Sequence, residues 1–377
     1  MKWSRRSVLC GSAATLATGA CAPPQQTRAV CAPQIDWPQS LSPTAAGFDE
    51  DLLHACTADF AGASTNFHSL LIERGGQLVS EQYRRGHDKP LADGVERMTT
   101  FDACTRHDIR SISKTITALL WGIADAQGKT PPLETPVLTL YPELKHLAGE
   151  GREKITLGHL LTMTNGLDWN EEGNYGSLLN DEFGLYWHSS QARYLFSRKL
   201  VHPPGVHFTY CGANTAVLAE ILVRSVATPL AAYAEKVLFA PLGITDWLWV
   251  NDYRGRPLAF AGLELRPRDL LRIGRLALDG GKAGAVQVVP EAWIKASLMA
   301  RVHTDDGLDY GYFWWLGEVD AIGAARRYAA GFGNGGQRIF IVPDLDLAVA
   351  ITAGNYNLPA QRLSQGLFKR VVAAVRA

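Results

Sequence analysis

Strand-like sequence lies near both ends of this chain, with helical periodicity between, and that order limits the fold more than any other feature. Near the start, "SLLIERGGQLVSEQY" alternates around Gly75-Gly76, which predicts a tight β-hairpin. Near the end, "QRIFIVPDLDLAVAIT" places two apolar runs around Pro343-Asp344, a second antiparallel hairpin. "RLSQGLFKRVV" and "AAVRA" predict a terminal helix. The middle is helical in pattern, through "SISKTITALLWGIADA", "TLGHLLTM", "ANTAVLAEILVRSV" and "LAAYAEKVLFAPLG". Strands divided in this way predict an α/β (α+β) fold. An antiparallel sheet flanked by helices is built from both termini, with an inserted all-helical domain. The α/β part takes residues 44–104 and 256–377, and the mainly helical part 105–255.

The 377 residues suffice for a substantial core, and 37 Lys plus Arg balance 37 Asp plus Glu. No net field attracts nucleic acid or an anionic membrane. There is no zinc-type Cys/His spacing, no Gly-rich phosphate loop and no apolar stretch long enough to span a bilayer. Residues 1–22, "MKWSRRSVLCGSAATLATGACA", read as a secretory signal with small residues before cleavage near Ala20 or Ala22. "SRRSVL" resembles a twin-arginine export signal, so the mature chain is expected in the periplasm or outside the cell. A secondary reading makes Cys21 a lipid anchor. Residues 23–43 form a linker. Export permits disulfides, and Cys31, Cys56, Cys104 and Cys211 allow three complete pairings or remain buried thiols.

The chemistry begins at "SISK". If Ser111 opens the helix, Lys114 lies one turn later on the same face, within reach of the hydroxyl. No charge follows until Asp125, so the helix reads as buried, and burial is expected to lower the lysine pKa toward that of a general base. A plain alternative has Ser111 capping the helix and Lys114 snorkelling to water. Two distant stretches supply partners. Tyr210 ends the loop "HPPGVHFTY" before a helix, where it can relay a proton. "GFGNGGQ" is a Gly-rich approach to a strand, where backbone N–H groups can hold an oxyanion. The irregular stretch over 165–190 reads as a binding loop, with Tyr175, Asp181, Tyr186 and Trp187 as candidates for substrate contact.

Taken in order, these motifs resemble the penicillin-recognising serine hydrolases: class C β-lactamases, β-lactamase-like esterases and 6-aminohexanoate-dimer hydrolases. "SISK" matches the SxxK motif, "PPGVHFTYCGAN" the PPG…Y-x-N region, and "YGYFWW" with "GNGGQRIFIVPDLDLAVAITAG" the C-terminal strands. The resemblance implies Ser111 as acylated nucleophile, Lys114 as its proton acceptor and Tyr210 as shuttle to the leaving group. It implies an oxyanion hole from the backbone N–H groups of Ser111 and Gln337, with neither metal nor cofactor in the reaction. Two departures stand out. Gly212 replaces the asparagine of Y-x-N, with Asn214 two residues on, and Asn334-Gly335-Gly336 replaces Lys-Thr-Gly. Without that lysine the expected substrate is a small neutral ester or amide. A D-amino-acid peptidase, a weak β-lactamase and a non-turnover sensor are the alternatives. The α/β-hydrolase fold is disfavoured because no G-x-S-x-G elbow occurs.

Overall fold

The computed structural model describes residues 37–39, 42–62, 64–171 and 173–376. The leader, Cys21, Cys31 and most of the linker lie outside the described residues. α1 (Glu50–Gly62) leads into β1 (Phe67–Arg74) and β2 (Gln77–Tyr83), then the short strands β3 (Arg85–Asp88), β4 (Arg97–Thr100) and β5 (His107–Asp108). The helical stretch holds α2 (Ile112–Ala126), α3 (Leu157–Leu161), α4 (Asp181–Gly184), α5 (Gln191–Phe196), α6 (Gly212–Val226) and α7 (Leu230–Ala234). β6 (Trp247–Trp249) and β7 (Leu263–Leu265) precede α8 (Pro267–Leu278), the minor pair β8 (Lys282–Ala283) and β9 (Val286–Gln287), and α9 (Glu291–Ser297). Then follow β10 (Val302–His303), β11 (Asp309–Tyr310), β12 (Trp315–Ala321), β13 (Ala324–Gly333), β14 (Gln337–Val342), β15 (Leu347–Ala353) and α10 (Leu363–Ala373).

The large sheet runs β10-β11-β12-β13-β14-β15-β1-β2, antiparallel at every step. The two hairpins seen in the sequence therefore meet side by side, β15 pairing with β1 through Leu70↔Ile351. Gly75 and Gly76 close the first hairpin with φ of +59° and +77°, the double left-handed turn that glycine adopts without strain. Alternation then sorts the side chains. Leu70, Ile72, Phe340, Val349 and Ile351 face α1 and α10, with Phe340 stacked on Phe368 at 3.9 Å. Leu71, Ile339, Ile341, Ala348 and Ala350 join the larger core on the other face. Covered on both faces, β14 and β15 are buried at every position, and each large apolar side chain so buried contributes about 1.5–3 kcal/mol.

α2 is the pivot between sheet and helical region. Every residue from Ile112 to Ala124 is buried, as its all-round apolarity predicts. β13 approaches so closely that a Cβ at Gly331 would lie 3.1 Å from Ile112 Cγ2, and one at Gly122 would overlap the Trp293 ring. The insertion also contributes β5 and β6, which pair with β7. Cys104 is disulfide-bonded, whereas Cys56 and Cys211 are free and buried. Among the described residues no single helix is long and apolar enough to cross a membrane.

Candidate active site

The approach to Ser111 is a strained step held from both sides. Arg110 has φ +51°, the left-handed region that a residue with a side chain rarely adopts. Its N–H donates to Asp108 Oδ1 at 2.9 Å, its guanidinium pairs with the same carboxylate, and it lies over the Tyr356 ring at 4.3 Å. Ser111 follows at the mouth of α2, and its hydroxyl makes no capping bond. Lys114 is 1% exposed, which removes the snorkelling alternative. Its Nζ donates to Ser111 Oγ at 3.1 Å, to the Phe260 carbonyl at 3.0 Å and to Glu182 Oε2 at 3.3 Å.

Three acceptors for three protons describe an ammonium, and this corrects the lowered pKa read from burial alone. Burial does pull Lys114 down, but Tyr210, Glu182 and Glu171 outweigh it and hold the lysine above its ordinary value. The Tyr210 ring centroid lies 4.8 Å from Nζ. Burial raises the Tyr210 pKa further than Lys114 lowers it, so the resting group is a phenol.

The two glutamates were not singled out by the sequence reading. Glu182 follows the N-cap Asn180, whose side chain accepts the Glu182 N–H at 3.0 Å. Glu171 Oε1 accepts from Trp169 Nε1 at 2.7 Å and from the Gly212 N–H, while its Oε2 is buried without a partner. Burial and then Glu182 push the Glu171 carboxyl up to about 8. A Cβ at Gly212 would lie 2.6 Å from Glu182 Oε2 and 2.9 Å from Glu171 Oε1. The glycine that replaces the expected asparagine therefore makes room for an acidic pair. Asn214 is instead buried, its amide oxygen accepting from Asn165 at 2.5 Å.

The remaining candidates divide. Tyr175 belongs to this cluster, since burial, Glu171, Glu182 and Tyr210 together raise its pKa well above the ordinary value. Tyr186 packs edge-on against Phe260. Asp181 pairs with Arg198 at 2.8 Å, and its neighbour Glu182 is the acid that reaches Lys114. Trp187 is 59% exposed and stacks on Tyr253 at the surface. No local signal separates Asp181 from Glu182 in "NDEF"; both follow the same cap, and tertiary packing chooses between them.

The opposite wall carries no free cation among the described residues. A Cβ at Gly333 would overlap the Ile109 carbonyl, so the end of β13, paired there with Gln337, lies directly against the segment entering Ser111. The Gln337 side chain is turned away, bonded to the backbone N–H and carbonyl of Ala353. Gly335 and Gly336 have φ of +93° and +101°, and Asn334 pairs with Asn357. Arg338 directs its N–H groups to the carbonyls of Gly333, Gln337 and Gln361.

This arrangement, a serine with a buried lysine, a tyrosine and an adjacent strand edge, is suited to acyl transfer. Comparison with known proteins agrees. A 6-aminohexanoate-dimer hydrolase of Paenarthrobacter ureafaciens is 27% identical over 318 residues, 79% of this chain and 75% of its own length. Esterase EstB of Burkholderia gladioli is 32% identical over 191 residues, 48% of this chain and 46% of the esterase. The solved structure of a putative 6-aminohexanoate-dimer hydrolase from Bacillus anthracis superposes with a TM-score of 0.66 at 20% identity, covering 82% of this chain and 79% of that one. That likeness establishes the shared β-lactamase/transpeptidase-like fold. The Beta-lactamase family model matches residues 57–365, and the chain belongs to that family of serine hydrolases.

Proposed function

We propose that the protein hydrolyses a small, uncharged carboxylic ester or amide through an acyl-enzyme on Ser111. The observation that carries this reading is the Lys114 ammonium set between Ser111 Oγ at 3.1 Å and Glu182 Oε2 at 3.3 Å. Lys114 acts in its neutral form, which takes the Ser111 proton as Oγ bonds the substrate carbonyl carbon. The backbone N–H groups of Ser111 and Gln337 hold the resulting oxyanion. Collapse breaks the bond to the leaving alkoxide or amide nitrogen, which takes the Tyr210 proton; the proton on Lys114 restores the phenol. Water then adds to the acyl-enzyme by the reverse relay and releases the acid. Neutral substrates fit because Asn334, Gly335 and Gly336 offer no cation to a carboxylate, and the names of the esterase and the dimer hydrolase accord with ester or amide cleavage.

An active-site phosphonate probe should label the wild type and not Ser111→Ala; equal labelling overturns the assignment. Turnover of p-nitrophenyl esters with little turnover of nitrocefin supports the neutral-substrate reading, and the reverse favours a β-lactamase. Labelling without turnover favours a sensor. We also propose export through the arginine-paired leader, checked by N-terminal sequencing of protein recovered outside the cytoplasm.

A further inference from the structure

A second buried polar cluster lies behind Arg110. His68 on β1, Asp88 at the end of β3 and His107 on β5 are 0%, 7% and 0% exposed, and one ligand atom from each lies within 4.8 Å of the others. His68 is the extra residue where the register of β1 on β15 slips between Phe67↔Ala353 and Ser69↔Thr352. A bulge of this kind re-aims a side chain.

Proton accounting at this cluster leaves a conflict. His107 Nδ1 is 3.1 Å from the Asp108 carbonyl oxygen, which only accepts, so Nδ1 carries the proton and Nε2 a lone pair. His68 Nε2 is 3.2 Å from Asn66 Oδ1. The Asn66 amide is pinned, its Nδ2 donating to the His87 carbonyl at 2.7 Å and its Oδ1 accepting the His87 N–H at 2.9 Å. His68 therefore donates through Nε2 and keeps its lone pair on Nδ1. The two lone-pair nitrogens, His68 Nδ1 and His107 Nε2, face each other at 2.6 Å. Such a pair repels unless a cation stands between them.

We propose that His68, His107 and Asp88 form a binding site for one divalent transition-metal ion of the zinc type, apart from the reacting centre. Two imidazoles and a carboxylate are ligands for such an ion, not for calcium or magnesium. Each carries the second partner that metal ligands have: Asp108 and Asn66 accept from the histidines, and the Tyr356 hydroxyl donates to Asp88 Oδ1 at 2.7 Å. The cradle is shaped for the His68 ring. A Cβ at Gly86 would lie 2.6 Å from its Cδ2, a Cβ at Gly354 2.8 Å from its Cε1, and Phe101 stacks on it at 4.0 Å. Tetrahedral coordination at about 2.0–2.1 Å separates two nitrogens by about 3.3 Å, so binding opens the pair by roughly 0.7 Å. The ligands come from three separate elements, which is why no zinc-type spacing appears in the sequence. The ion ties those elements together and, through Asp88, Tyr356 and Arg110, braces the step into Ser111.

This site is independent of the reaction, and the tag-free full chain, stripped with a chelator and titrated with zinc or cobalt(II) alone, tests it. The wild type should bind one equivalent and show a raised Tm. His68→Gln and His107→Gln should lose this binding, and Asp88→Asn should weaken it about 10-fold or more. Because a variant in so buried a cluster can fail to fold, X-ray absorption on the zinc-loaded wild type decides independently: two imidazole nitrogens at about 2.0 Å are expected. No stoichiometric binding, binding untouched by all three substitutions, or sulfur scatterers at the metal would each overturn the proposal. The first result would leave only a shared proton between the rings.

Discussion

Two buried polar clusters flank the Arg110–Ser111 step, and they balance charge in opposite ways. On one side Lys114 supplies a cation from the chain itself, with Glu182, Glu171 and Tyr210 around it. On the other, two imidazole lone pairs and the Asp88 carboxylate converge with Arg110 directed elsewhere, onto Asp108 and Tyr356. Buried polar groups are tolerated only when paired. The first cluster carries its own cation, bonded to Ser111, Phe260 and Glu182, and so can hold and move protons. The second is complete only with an added cation and so is suited to bracing.

The largest effect should come from breaking the first cluster. Lys114→Ala is expected to lower kcat/KM for p-nitrophenyl esters by about 10^3-fold, with circular dichroism unchanged. It also leaves the buried Glu171 carboxylate without its neighbouring cation, so the loss of stability should be greater at pH 8 than at pH 5, where Glu171 is protonated. Breaking the second cluster sterically comes next. Gly354→Ala places a Cβ against the His87 carbonyl and the His68 ring, and should cost about 1–3 kcal/mol in urea unfolding with ester turnover retained by the folded fraction.

Glu182→Gln sharpens the contrast through pH. The carboxylates hold the Lys114 pKa up, so removing one lowers it and neutral lysine appears at lower pH. The rising limb of kcat/KM should move toward acid by about one unit or more; a limb that does not move places Lys114 outside the titrating step. The smallest effect should be that of Glu171→Gln. Burial and Glu182 push the folded-state Glu171 pKa up to about 8, above the ordinary carboxylate value of 4.5, so the folded state binds the proton more tightly. Its contribution is fully present below the unfolded pKa and is lost as pH rises toward 8. The variant should flatten that fall in the urea midpoint between pH 5 and 8.

Much of the architecture was legible because it follows from short-range pattern. Gly75-Gly76 encodes the first hairpin, and the uncharged run after Lys114 encodes a helix with no wet face. The Ser111–Lys114 contact was legible for the same reason, since one helical turn fixes it. What escaped depends on packing. Glu182 reaches Lys114 from the short helix α4, Glu171 is bonded to Trp169 and Gly212, and the vacancy the two acids fill is a missing side chain at Gly212. The lysine's protonation state escaped with them, because burial and charge oppose one another and only the position of the carboxylates decides the sign. The histidine cluster escaped because a register slip turns His68 inward, and no periodicity records such a slip.

The pairing of β15 with β1 is a long-range contact that folding must close. Leu70 and Ile351 close the middle of the sheet across the entire helical insertion, so this loop-closure entropy is met before the central strands gain their partners. Gln337 on β14 and the Arg110–Ser111 step before α2 are distant in sequence and meet only through tertiary packing. The proposed nucleophile and oxyanion donor thus depend on long-range packing, and catalytic competence would report completed folding.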